Sequence, residues 1–181
     1  MNKINTIVIT ALIAMTMVSC GVKQTLQNEA GTKMNSTTGL ISKEQFDKID
    51  AFGVGNPNDG FAQYFIGNSY LKPLTNMQNG EIPIFNVSFE PGCRNNWHIH
   101  HSTSGGGQVL ICTAGSGWYQ QWGEEPVSLE PGMVIVIPPN TKHWHGAKKD
   151  SWFSHVTFEP AGENTSNEWC EPVSDEEYNK L

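Results

Sequence analysis

The chain has 181 residues with 38% hydrophobic and 16% charged residues, a balance that suits one globular domain with extensions. Its formal net charge of −7, with no Lys/Arg cluster beyond Lys148-Lys149, excludes nucleic acid as an expected partner. The 18 glycines and 10 prolines, scattered between short apolar runs, favour turns and strands over long helices.

In chain order, Met1-Asn2-Lys3 supplies a positive charge, and the apolar stretch Ile7 to Val18 is too short to span a membrane as a mature helix. The following Met17-Val18-Ser19-Cys20-Gly21 resembles a bacterial lipobox, so residues 1–20 are expected to be a lipoprotein signal peptide with Cys20 as the lipidated residue. The expectation is an exported protein held at the periplasmic or surface side of a bacterial membrane, touching that membrane only through its anchor. Residues 21–58 read as a polar tether and N-terminal extension, in which Ser42 and Gln45 are spaced to cap a short helix. Of the cysteines, Cys93, Cys112 and Cys170 remain. An odd count leaves at least one thiol free in an oxidising compartment, and the lack of a Cys-x-x-Cys argues against a cysteine metal site.

Residues 59–160 carry the domain. Phe61 to Leu74 alternates well enough for one or two opening strands, and Phe85–Phe89 alternates up to the turn Glu90-Pro91-Gly92. Further strands are predicted over Val109–Ala114, Trp118–Trp122, Val127–Leu129, Met133–Ile137 and Ser151–Phe158, each bounded by Gly or Pro turns. Many short strands at near-regular spacing argue an all-β sandwich or small barrel. Residues 161–181 form a tail in which Ser174 and Glu177 make a capping box for a short helix, with Trp169 expected to dock on the barrel wall.

Two His-x-His pairs stand out within this frame, His98-Ile99-His100 and His143-Trp144-His145. Residues i and i+2 of a strand share a face, so each pair can aim two imidazoles at one interior, the ordinary signature of a metal site. Their context is specific. Gly92 is followed by five residues and then His98-x-His100; Gln108 is followed by six and then Gly115; Gly132 is followed by five, Pro138, and then His143.

These spacings resemble the two motifs of the cupin superfamily, over roughly Phe85 to Phe158. The resemblance implies a small antiparallel jelly-roll barrel with short N- and C-terminal extensions. It departs from the common pattern in four places, one of them Ala147 where the second motif ends in Asn. Gln108 stands in the glutamate position. The segment His101–Gly107 makes the gap before it longer, and is expected to be a flexible loop at the barrel mouth with His101 solvated. Asn140 takes the place of a glycine, which its tolerance of left-handed backbone permits. Phe89-Glu-Pro-Gly92, Trp97-His98-x-His100, Thr113-Ala-Gly-x-Gly-Trp118 and Lys142-His-Trp-His-Gly-Ala147 further resemble the subgroup of bacterial manganese-dependent cupin hydroxynitrile lyases and the cupins associated with carboxymuconolactone decarboxylases, in which a Gln at that position is usual.

Carried onto this chain, the resemblance implies His98, His100, Gln108 and His143 as metal ligands, with His145 and His155 as catalytic bases. The divalent metal is expected to be Mn, with Fe, Zn or Ni as alternatives. Three neutral imidazoles and an amide oxygen leave the ion's charge uncompensated, which strengthens it as a Lewis acid, and a neighbouring neutral imidazole suits proton abstraction. Trp97, Trp118, Trp144 and Phe153 are expected to line or support the cavity, and Glu90 and Glu159 to be turn or rim charges. The function read from this is a metal-dependent enzyme acting on a small hydroxy or carbonyl compound, hydroxynitrile-lyase-like. A cupin oxygenase, a non-catalytic periplasmic ligand or metal binder, and a sugar-binding or isomerase cupin are the alternatives. A small-molecule substrate and a homodimer are the expected partners.

Overall fold

A computed structural model describes residues 40–76, 78 and 81–181. The expected signal peptide, Cys20 and most of the expected polar tether lie outside the described residues. Among the described residues there are fifteen short strands, and every pairing between them is antiparallel.

The first sheet holds β1 (Asn56–Pro57), β3 (Ser69–Pro73), β4 (Phe85–Phe89), β8 (Gln108–Gly115), β11 (Val134–Ile137) and β13 (Phe153–Phe158), in the order β1-β3-β4-β13-β8-β11. The second holds β2 (Phe65–Ile66), β5 (Arg94–Asn95), β6 (His98–His101), β9 (Gly117–Gln121), β10 (Val127–Leu129), β12 (His143–Ala147) and β15 (Ser166–Trp169). It runs β10-β9-β12-β5-β2, with β6 paired to both β12 and β15. A separate two-strand ladder joins β7 (Ser104–Gly105) to β14 (Gly162–Glu163). The result is the antiparallel jelly-roll that the strand pattern and motifs imply.

The core between the sheets comes from period-two alternation. Val87, Phe89, Leu110, Cys112, Tyr119, Leu129, Ile137 and Phe153 are buried in one cluster. The register between β13 and β8 shifts at Ser154/His155, so that Ser154 faces Ala114 while His155 faces Cys112. That bulge lets Cys112 join the interior cluster and Ala114 turn outward to pack with Phe46, Val54 and Trp152.

Two capped helices close the outside. Ser42 and Gln45 form the expected capping box of α1 (Lys43–Ile49), whose Phe46 stacks on Trp152 with ring centroids 5.1 Å apart. The helix ends at Asp50, a buried carboxylate that accepts from Asn86 Nδ2 (2.8 Å) and Ser88 Oγ (3.4 Å) and so ties α1 to the first sheet. Ser174 and Glu177 cap α2 (Asp175–Tyr178) in the same way, and Tyr178 Oη donates to Ala147 O at 2.7 Å. No helix among the described residues is long and apolar enough to cross a membrane.

Two expectations are corrected. The segment His101–Gly107 is a built part of the wall, because residues far along the chain hold it by backbone pairing. His101 belongs to β6, β7 pairs with β14, and the buried Ser102 gives its Oγ hydrogen to Ser104 O and lies 3.0 Å from Glu163 O. Asn140, at φ 63° as its place in the glycine position requires, donates from Nδ2 to Ser102 O (2.8 Å) and so seats the same segment. Second, Trp97 and Trp144 cluster with Val173 and Tyr178 under the C-terminal segment, with Trp118 against them, on the far side of the sheet from the cavity. Only Phe153 of the four expected aromatics sits in the interior core.

Phe46 is fully buried where α1 meets the sheet, so Phe46→Ala should lower unfolding free energy by about 3 kcal/mol in urea titrations, through lost burial and an unfilled cavity. An unchanged midpoint would mean that α1 is not part of the cooperative unit.

Candidate metal centre

Strand register assembles the site. His98 on β6 is the direct cross-strand partner of His143 on β12, and their ring centroids are 4.1 Å apart. Because i and i+2 share a face, His100 and His145 follow onto the same interior surface. On the outer flank of β6, the β15 register sets Asn167 opposite His100 and Trp169 opposite His98. From the first sheet, Gln108 begins β8 and reaches across to place Oε1 3.0 Å from His143 Nε2. His155, in the centre of β13, meets His145 across the interior, Nε2 to Nδ1 at 3.1 Å. All six expected site residues therefore gather in one place.

Hydrogen bonds orient the rings. His98 Nδ1 lies 3.0 Å from Asn96 O, and His143 Nδ1 lies 2.9 Å from Thr141 O. A carbonyl can only accept, so both rings carry their hydrogen on Nδ1 and turn the Nε2 lone pair inward. For His143 that lone pair then faces the Gln108 oxygen, two acceptors 3.0 Å apart, a contact that a cation between or beside them would relieve. His100 Nε2 is buried without any hydrogen-bond partner. An orphaned buried lone pair is costly unless something coordinates it. The donor set thus fits a divalent metal. Ring nitrogens of His98, His143 and His145 also lie within 4.8 Å of one another, the tightest such trio among the described residues. His145 is therefore placed both as a potential ligand and as a potential base.

The environment keeps His98, His143, His145 and His155 neutral at pH 7. Desolvation is the leading cause in each case, with neighbouring imidazoles adding to it for His98 and His145, whose pKa values fall well below the ordinary one. Burial pushes His143 down to about 4 and His155 down to about 3. Asn95 organises His145: its Oδ1 accepts the His145 backbone N–H at 3.0 Å, which turns its Nδ2 toward the ring, 3.1 Å from Nε2.

The imidazoles form the polar end of a cavity of about 180 Å³, whose other wall is Phe61, Phe65, Leu71, Phe85 and Val87. Trp169 completes it, stacked on Tyr64 (centroids 4.4 Å apart, planes 4° apart) and lying 4.9 Å from the His98 ring. Several lining residues were missed in the sequence, Asn95, Glu159 and Asn167 among them. Glu159, read as a rim charge, brings Oε1 to 3.0 Å from His100 Nδ1, and its pKa is lowered first by that contact. The signal was available: His155, Thr157 and Glu159 continue one inward alternation, and all three line the cavity. Asn167 and Trp169 likewise share one face of a strand that the polar tail gave little reason to draw. His101 points away from the cavity, with Nε2 2.7 Å from Glu168 Oε2, an arrangement that raises its pKa.

The cupin domain model matches residues 85–159. A relative named (R)-mandelonitrile lyase, from Granulicella tundricola, is 35% identical over 134 residues, which span 74% of this chain and 99% of the relative. The chain belongs to the cupin family. A solved cupin-like protein from Thermotoga maritima superposes with a TM-score of 0.62 at 38% identity, covering 72% of this chain and 96% of that one. A cupin 2 conserved barrel domain protein from Rhodopseudomonas palustris, at 16% identity and a TM-score of 0.50, covers 70% of this chain and 81% of its own, and shares the fold. In this cupin, the matched residues 85–159 do not include β15, which carries Asn167 and Trp169.

Protonation links the site to stability. Below the unfolded-state value of 6.5, an unfolded chain binds protons that folded His143 and His155 refuse until about 4 and about 3. The stability they confer is thus full above pH 6.5 and is lost as pH falls from there toward 3. Urea midpoints measured with chelator present should decline through that window, and His155→Leu should flatten the decline. A wild-type midpoint insensitive to pH there would contradict the buried neutral state.

Proposed function

We propose that this cupin is a divalent-metal-dependent lyase of the hydroxynitrile-lyase kind, with manganese the ion favoured by its sequence resemblance and Fe, Zn or Ni as alternatives. The observation that carries the reading is the convergence of inward imidazole nitrogens and the Gln108 oxygen at a cavity that also has a wall of Phe61, Phe65, Leu71, Phe85 and Val87. The activity named for the relative that this chain matches over 99% of its length supports it. The substrate class is a small compound with a hydroxyl beside an apolar or aryl substituent, since a cavity of about 180 Å³ walled by Phe61, Phe65 and Phe85 accepts the substituent while the histidines meet the oxygen.

His98, His100, Gln108 and His143 would hold the ion, which when bound supplies Lewis acidity toward the substrate oxygen. His145, neutral at pH 7 because it is buried, takes the hydroxyl proton. His155, 3.1 Å from His145 Nδ1, sets the orientation of that ring and shares its positive charge once the proton arrives. As the oxygen–carbon bond gains double-bond character, the carbon–carbon bond to the nitrile breaks, cyanide leaves with its electron pair, and the proton on His145 returns to it. The products are a carbonyl compound and hydrogen cyanide. The Phe and Trp wall excludes water from the substituent side.

On the N-terminal pattern alone, we also propose that the protein works outside the cytoplasm, anchored through Cys20.

The test is cyanide release from mandelonitrile by protein loaded with one equivalent of Mn²⁺. His145→Ala should lower kcat by roughly 10²–10⁴-fold with the metal retained, the range expected for losing a general base. His143→Ala should lose both metal and activity. Fully metallated wild-type protein that releases no cyanide would overturn the lyase reading, and substrate-dependent oxygen uptake would replace it with an oxygenase.

A further inference from the structure

His98 and His143 are oriented by backbone carbonyls two residues upstream, Asn96 O and Thr141 O. No side-chain substitution removes those acceptors. His100 differs. Its Nδ1 lies 2.9 Å from Asn167 Oδ1 and 3.0 Å from Glu159 Oε1, and Asn167 Nδ2 donates to the same Glu159 oxygen at 2.9 Å. The amide orientation follows from this triangle: the end that donates to a carboxylate must be the NH₂, so the end facing His100 is the oxygen. Both neighbours of Nδ1 are therefore acceptors, the hydrogen sits on Nδ1, and the lone pair of the neutral ring is on Nε2, which is buried and without a protein partner.

We infer that Glu159 and Asn167 are positioning residues that lock His100 as the Nδ1–H tautomer and, resting on the metal-centre reading above, aim its Nε2 at the ion. Two features of the chain make this pair possible. Glu159 continues the inward alternation of β13 one step past Thr157. Asn167 is the direct cross-strand partner of His100 in β15, a strand outside the matched cupin segment. The pair also returns a carboxylate to the site. Gln108 supplies a neutral oxygen where the common pattern has a glutamate, while Glu159 places its carboxylate behind a histidine without occupying a coordination position.

The experiment uses the described domain in the full chain, apo and metal-loaded. In the apo protein, long-range ¹H–¹⁵N correlation should show His100 as the Nδ1–H tautomer, and the Glu159→Gln/Asn167→Ala double variant should show a mixture of tautomers. Competition against a fluorescent chelator should give Mn²⁺ binding weakened about 10-fold in Glu159→Gln and up to about 100-fold in the double variant, the span known for residues that orient a ligating histidine. Glu159→Asp should recover part of the loss. Glu163→Gln, an exposed carboxylate on the neighbouring β14, should bind like wild type and controls for a general charge effect. Unchanged thermal unfolding of the apo variants excludes misfolding as the cause. Wild type that binds Mn²⁺ and variants that bind it equally well, with His100 still a single tautomer, would overturn the inference alone. Wild type that binds no divalent ion would overturn the metal-centre reading, and the tautomer measurement would still decide whether Glu159 and Asn167 lock the ring.

Discussion

The structure depends on the register between β6 and β12. Pairing His98 with His143 fixes where four imidazoles converge, because period-two geometry then carries His100 and His145 to the same face. A slip of β6 by one residue would turn His98 and His100 outward and bring Ile99 in. The same register extends outward on both sides: Trp169 lies beside His98 through β15, and Tyr119 beside His145 through β9. Two rows of cross-strand neighbours, Trp169–His98–His143 and His145–Tyr119, thus set the ligands, the aromatic wall and the base together.

Burying so many imidazoles has a thermodynamic cost that the architecture answers ring by ring. Desolvation disfavours the charged forms of His98, His143, His145 and His155, and a neutral ring leaves one lone pair to be satisfied. At His98, His100 and His143, carbonyls and side-chain acceptors face Nδ1 on the outer side, which turns the Nε2 lone pairs toward a common interior point. The fit to a divalent cation is the consequence of that orientation, with His100 Nε2 left buried and without a partner. The carboxylate of Glu159 modifies the charge argument that follows from Gln108 alone. The direct donor set is neutral, as the sequence implies, but a negative charge stands immediately behind one donor.

Much of this was legible without coordinates because local physics decides it. Capping boxes at Ser42 and Ser174, strands bounded by Gly and Pro, and the left-handed backbone at Asn140 each depend on a few adjacent residues. The segment His101–Gly107 was misread for the opposite reason. Its glycines signal freedom, and only pairing with residues 162–163, far along the chain, removes that freedom. Trp97 and Trp144 were misassigned to the cavity because aromatic content marks burial but does not say which side of a sheet is buried. Here both sides are, since Val173 and Tyr178 cover the outer one.

By itself, the sequence determined the strand succession and the two His-x-His pairs, since spacing and alternation are properties of the chain's own geometry, and its family resemblance implied Gln108 and His155 as their companions. Tertiary structure alone decided what stands behind those residues. That Asn167 and Glu159 share the His100 N–H, that Trp169 roofs the cavity, and that His145 sits between the ligand cluster and His155 all follow from pairings across dozens of residues. No local propensity specifies such pairings; they are selected by the closure of two sheets around one buried polar centre.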